Sequence, residues 1–413
     1  MKSKGSPAYR IVSMAWRNIW RNKMRSVIII SSVALGIFAG IAILGLYKGI
    51  LKSRVRTVID KEVGHLQLHH PEFKKDYKAE FIIPLSGNLL DQVRSWPEIR
   101  ALARRSVTTA MLATATGASG VQVNGIYPPE EESVSAISRK IVEGSLFDPD
   151  KKNQILISRK LSDKLKINRG NKVVLTFSDK ENNIQSGAFR VCGLFQTINT
   201  PLDERTVYLR QNDLNELLNI PGESHEIVLI LQSDDLLDSV QQRLNTNYPS
   251  LLAETWKEIS PETQLMVVSV NEYMYIFIII IMLALAFGIV NTMLMAILER
   301  TREVGMMTAL GFTKPRLFGL ILSETILLTL AGVPAGIALA WTLIWYFNKY
   351  GIDLGNVAKE SMSSFGFEST IYPEFPYDQL PMVLSIVAAT AILASVLPSL
   401  KALNMQPSEA LRR

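Results

Sequence analysis

The sequence predicts a membrane α-helical protein with four transmembrane helices and a large mixed α/β extracytoplasmic domain inserted between the first and second helices. Three observations predict it. Residues 27–46, 273–298, 317–347 and 380–400 are apolar runs with Glu324 as their one charge. Each is long enough to cross a hydrocarbon core, which takes about 20 apolar residues of helix. Residues 51–264 instead hold 27 Lys/Arg and 28 Asp/Glu, an ordinary soluble-domain composition. The short segments between runs differ sharply in positive charge. Of the 413 residues 48% are hydrophobic and 20% charged, which excludes a disordered chain. One cysteine excludes a disulfide framework.

The elements follow in order. Residues 1–26 carry seven Lys/Arg and no acid. Residues 9–25 read as an amphipathic helix on the cytoplasmic surface. Ile11, Met14, Ala15, Ile19 and Met24 alternate there with Trp16, Trp20 and basic side chains, the mixture an interfacial helix needs. The first transmembrane helix spans 27–50. It is too long for a cleavable signal and is expected to stay as an anchor. The external domain spans 51–264, the second transmembrane segment 265–298 and the third 317–347. The loop 299–316 carries four Lys/Arg, and the tail 401–413, beyond the fourth segment at 380–400, carries three. The loop 348–379 has two Lys and five acids. Positive charge marks the cytoplasmic side. Both termini and the 299–316 loop are therefore expected in the cytoplasm, and the large domain and the 348–379 loop outside, periplasmic in a diderm bacterium.

Within 51–264 the pattern is mixed α/β, with room for one large core or two smaller ones. Residues 88–95 read as helix, 120–125 as strand, 127–129 as turn, 154–157 as strand, 159–166 as helix and 168–171 as turn. Residues 173–177 and 189–195 read as hairpin partners around a polar loop at 179–185. Strands follow at 206–209 and 227–231, and Asp234 is expected to cap a helix running to Asn245.

Little here points to catalysis. His65, His69 and His70 are close in sequence, but adjacent strand residues point to opposite faces, and no carboxylate or thiol completes a metal set. Cys192 sits in an apolar strand and reads as a packing residue. There is no phosphate-binding G-x-x-x-x-G-K-[ST] loop, no G-x-S-x-G and no H-E-x-x-H. No cofactor is expected in this chain, and nothing indicates nucleic acid. The spans lack the polar lining of an ion pathway. Glu324, near the cytoplasmic face, is expected to pair with Arg300, Arg302 or Arg316.

The cytoplasmic loop reads E299-R-T-R-E-V-G-M-M-T-A-L-G-F-T-K314. Charges flank Val304, Met306, Met307 and Leu310, which suits docking in a groove, while Gly305 and Gly311 permit close approach and a sharp exit. This stretch resembles the signature of the FtsX-like/MacB-like permeases, the four-span subunits of type VII ABC transporters. A15-W-R-N-I-W-R-N-K-M-R-S26 resembles the family's start. L397-P-S-L-K-A-L-N-M-Q-P-S-E-A-L-R412 resembles its end, and I321-L-S-E-T325 fits the start of its third span. The resemblance covers the whole chain. It implies that Glu299, Arg300, Arg302, Glu303, Gly305, Met306, Leu310 and Gly311 form a coupling helix that meets a separate ATPase dimer of the LolD/MacB type. That partner would bind ATP and Mg, so this chain is not itself an enzyme. A second permease copy or a sister permease would complete the assembly in the bacterial inner membrane.

Within the family the chain is expected not to be of the kind fused to its ATPase, and its external domain is larger than that of FtsX proper. Its size, G64-H-L-Q-L68 and F189-R-V-C-G-L-F-Q-T-I-N199 followed by T206-V-Y-L209 resemble the LolC/LolE lipoprotein-releasing permeases. By position, Thr197, Asn199 and Pro201 would fall in that group's loop for a periplasmic, LolA-like carrier. Three functions are open: lipoprotein release, a MacB-like pump with an adaptor, and FtsX-like signalling to a cell-wall hydrolase. Val33, Leu35, Phe38, Met293 and Met295 are candidate walls of an acyl-chain cavity. The alternative is that they face membrane lipids or a neighbouring helix.

Overall fold

The computed structural model describes residues 7–21, 23–83, 89–197, 199–355, 362, 367 and 370–403. The chain divides into two units. One is helical and takes in the chain through Leu51, Val268–Ile352 and the chain from Ile371 on. The other is Lys52–Val267 with Asp353–Thr370.

The helical unit contains parts of four long helices, Lys23–Val58, Pro261–Glu299, Lys314–Tyr350 and Leu380–Leu403. All four are long and apolar enough to cross a membrane. The shortest has 24 residues, about 36 Å at about 1.5 Å per residue. Val33, Ile37 and Ile41 of the first meet Met282, Leu285 and Ile289 of the second, Leu328 of the third and Val387 and Ala391 of the fourth in one core. The first and third helices approach closely because glycines stand between them. A Cβ on Gly332 would lie 2.8 Å from Val33 Cβ, and one on Gly336 would lie 2.7 Å from the Ala34 carbonyl oxygen. Small residues let membrane helices gain dispersion energy that larger ones would block.

The N-terminal helix is Pro7–Arg21, shorter than the 9–25 expected, because residues from Lys23 on belong to the first long helix. Asn22 lies outside the described residues. Ala15 and Ile19 are buried, whereas Trp16, Trp20 and Met24 are exposed. A buried bond from Ser26 Oγ to the Ile19 carbonyl oxygen, 2.7 Å, braces the turn into the long helix.

Among the described residues the α/β unit carries a ten-stranded sheet: β1 (Leu66–His69), β2 (Ile99–Ala113), β3 (Ala118–Ile126), β4 (Ile141–Gly144), β5 (Gln154–Ser158), β6 (Lys172–Ser178), β7 (Ile184–Phe195), β8 (Thr206–Arg210), β9 (Glu226–Leu231) and β10 (Leu252–Thr255). β2 changes partners along its 15 residues. Its first half pairs with β9, Leu102 opposite Leu229, and its last turns to β6, Leu112 opposite Leu175. On its other side it pairs with β3. From β3 the pairing passes through β8, β5, β7 and β6 back to β2, so six strands close a ring. Leu112, Val123, Ile155, Leu175, Phe189 and Val207 fill it. A second core lies beside β1 and β9, with Leu66, Leu229, Val240, Leu244 and Trp256.

Two expected details are corrected. Residues 127–129 are not a free turn: Tyr127 precedes the helix Pro128–Ser135, whose first position suits proline because its N–H would be unbonded anyway. Asp234 is not the cap. Ser233 accepts from Asp235 N at the start of a short 3-10 turn, the helix proper is Leu237–Asn247, and the Asp234 carboxylate turns to His65 Nε2, 2.9 Å away.

Candidate functional site

The 299–316 segment folds into a short helix, Thr301–Ala309, between the second and third long helices. Its end is set by Gly311 at φ +88°, a left-handed conformation that favours glycine. Across it the Phe312 N–H donates to the Met307 carbonyl oxygen at 2.9 Å, a Schellman-type closure. The residues separate by face. Glu299, Arg302, Met306 and Leu310 are exposed, at near-helical spacing. Leu310 is 87% exposed and Met306 51%. Gly305 is buried, and Met307 packs on the helical core. The expected apolar row is thus divided: Met306 and Leu310 face out and Met307 faces in, while the Val304 side chain lies outside the described residues.

Charged side chains hold the inner face. Glu303 pairs with Arg21 of the N-terminal helix. Arg300 Nη2 donates to the Asn18 carbonyl oxygen at 3.3 Å, and Arg300 Nη1 lies 3.7 Å from Glu324 Oε1 in the third long helix. Glu324 therefore meets Arg300, one of its three expected partners. Arg21 and Asn18 carried no local sequence signal for this role; only the fold brings the N-terminal helix to Glu303.

The five candidate cavity residues do not share one wall. Val33 and Met293 are buried in the helical core, Phe38 is partly buried against it, and Leu35 and Met295 are exposed. Met295 lines an open cleft of about 660 Å³ with Met24, Ile28, Arg21, Lys23 and Glu299. The carrier-loop candidates are folded down. Asn199 caps the helix Thr200–Asp203 through Leu202 N. Its Nδ2 donates to Glu62 Oε1 at 2.9 Å, and the same oxygen accepts from Arg54 Nη1 at 3.0 Å. Thr197 Oγ1 donates to Asp203 Oδ1 at 2.7 Å, and burial pushes the Asp203 carboxyl up. Pro201 alone of the three is exposed. Residue 198 lies outside the described residues.

The histidines are occupied structurally. His69 Nε2 bonds Glu254 at 2.8 Å, and His70 stacks on Phe81. Among the described residues no three His, Cys, Asp or Glu are grouped to hold a metal. Cys192 Sγ donates to the Ile155 carbonyl oxygen, and burial pushes its pKa up to about 11, so little thiolate forms at neutral pH.

Two family models match the chain. The MacB-like periplasmic core domain matches residues 26–247, more than half of the chain, and the FtsX-like permease C-terminal domain matches 275–407. The chain belongs to the FtsX-like/MacB-like family of ABC permeases. The permease is 24% identical to the lipoprotein-releasing system transmembrane protein LolC of Neisseria meningitidis, over 94% of each chain. It is 24% identical to LolC of Xylella fastidiosa (strain Temecula1), over 70% of this chain and 72% of that one. It is 21% identical to the macrolide export ATP-binding/permease protein MacB of Mannheimia succiniciproducens, over 80% of this chain and 52% of that one.

Proposed function

We propose that this permease couples ATP hydrolysis by a separate ATPase dimer to extraction of lipoproteins from the bacterial inner membrane and their transfer to a periplasmic carrier. One observation carries the coupling half: Met306 stands exposed on the helix Thr301–Ala309 and Leu310 in the turn just after it, between two spans. A groove on the ATPase would cover them. ATP and Mg would stay in that partner. Both termini would be cytoplasmic and the α/β domain periplasmic, with a second copy or a sister permease completing the complex. Likeness to LolC over nearly the whole chain supports the cargo half.

Likeness to MacB over 80% of the chain favours a second reading, a mechanotransmission pump working with an adaptor. Purification of the tagged full chain from native membranes, with mass spectrometry of what accompanies it, separates the two. An ATPase with acylated lipoproteins that leave on adding ATP supports release. An ATPase with an adaptor supports the pump, and an ATPase with a cell-wall hydrolase and no lipoprotein supports signalling. Loss of the ATPase in Met306→Glu and Leu310→Glu ties it to this face; unchanged recovery sinks that assignment.

A further inference from the structure

The helix Thr301–Ala309 is joined through the chain to the second and third long helices, but not to the first. Side chains make that missing link. Arg21, at the end of the N-terminal helix, pairs with Glu303. Arg300 reaches the same helix at the Asn18 carbonyl oxygen, 3.3 Å, while lying 3.7 Å from Glu324 and 3.9 Å from Glu303. Arg300 and Glu324 are 11% and 7% exposed, whereas Arg21 and Glu303 are 54% and 42% exposed. The buried pair is held against water, and the exposed pair is weaker and more easily altered. The Ser26–Ile19 bond then carries the N-terminal helix into the first long helix.

We propose that Arg21, Asn18 and Arg300 clasp the N-terminal helix to the Thr301–Ala309 helix, so that a push on the latter moves the first long helix directly. This rests on the reading of Thr301–Ala309 as the ATPase-docking element. Arg21 and Arg300 are positioning residues: they set where the helices go and touch neither nucleotide nor cargo. Without the clasp, a push would reach the first helix through packing, that of the N-terminal helix on the third long helix included.

The test uses the full chain with its co-purified ATPase in lipid nanodiscs. The native cysteine is replaced (Cys192→Ser), and spin labels are placed at Ser31→Cys and Leu393→Cys, both exposed. Pulsed electron resonance reads their separation with and without ATP and vanadate. The expected result is an ATP-dependent change in the parent protein. It shrinks in Arg21→Glu and in Glu303→Arg and returns in the double exchange. A cross-link between Arg21→Cys and Glu303→Cys is expected to form equally well with and without nucleotide. An unaltered change in both single variants overturns the clasp, and so does a loss that the exchange fails to restore. A parent complex with ATPase bound but no change overturns it as well. Failure to recover any ATPase with the parent chain instead overturns the docking reading on which the clasp stands.

Discussion

Arg105 and Glu131 grip each other by two bonds inside the α/β unit, Nε to Oε2 at 2.9 Å and Nη2 to Oε1 at 2.7 Å, with both side chains almost fully buried. Arg105 Nη1 also lies 3.5 Å from Glu226, which Lys74 approaches at 3.3 Å. Two cations thus face two carboxylates in the interior. Burial alone would push the Glu131 carboxyl up, but the adjacent guanidinium outweighs it and holds the group below its usual range. Arg105→Met leaves both carboxylates in low dielectric without that charge. It is expected to cost about 3–5 kcal/mol, seen as a fall in the unfolding midpoint, while Arg94→Met at the surface shifts it little. Equal effects would show that the cluster is dispensable. The lowered Glu131 stabilises above its unfolded value of 4.5 and gives up that contribution as pH falls through its folded value.

His225 is expected to make the fold acid-sensitive at milder pH. Its Nδ1 accepts from the Val107 N–H at 3.0 Å, so Nε2 carries the proton and donates to the Ala79 carbonyl oxygen at 3.2 Å. The ring stacks on Phe73 at 4.9 Å. Burial lowers its pKa from 6.5 to about 4. A histidine kept neutral stabilises fully above 6.5 and progressively less as pH drops toward 4. The gap corresponds to about 3 kcal/mol. Denaturant unfolding of the full chain in detergent between pH 7.5 and 4.5 is expected to show this loss. His225→Phe should flatten the slope in that window while lowering stability at pH 7.5. A slope unchanged in the variant would assign the sensitivity elsewhere.

The membrane runs and the regular short strands were legible because hydrophobic length and alternation are local properties. Residues 154–157, 206–209 and 227–231 appear as β5, β8 and β9 with ends shifted by one residue. β2 was not legible. Arg104 and Arg105 interrupt its alternation, and the partners that neutralise them, Glu130 and Glu131, are 26 residues away. β1 and β10 were hidden too, since a four-residue strand says little until its neighbours are known. In the site, the short helix between the second and third long helices and the glycine that ends it were readable from charge spacing and Gly311. Which apolar residues face outward depends on how the helix lies on the core, and so does the Arg21 contact; neither is written in any local pattern.

Glycines of the first and third helices are expected to be unequal. Gly336→Ala would bring a methyl 2.7 Å from the Ala34 carbonyl oxygen, which has no room to move, whereas nothing lies within 4 Å of a Cβ on Gly40. The first should cost about 1–3 kcal/mol through overpacking, and Gly40→Ala should be neutral or slightly stabilising, since alanine favours helix. Thermal unfolding in detergent compares them directly. Equal midpoints would mean that the first and third helices do not pack in this way.

Arg300 and Glu324 should respond asymmetrically to substitution. Removing the guanidinium leaves a buried carboxylate in a membrane helix without that cation, and ionised groups there are costly. Neutralising Glu324 instead leaves Arg300 beside Glu303 and the Asn18 carbonyl oxygen. Arg300→Met is therefore expected to destabilise by about 3 kcal/mol and Glu324→Gln by less. The double variant should recover part of the Arg300→Met loss, because the charge that suffered from it is gone. The check is a double-mutant cycle on thermal unfolding, which reads the coupling without knowledge of the cargo. Strictly additive losses would show that the two side chains act independently and that Glu324 is held by other groups.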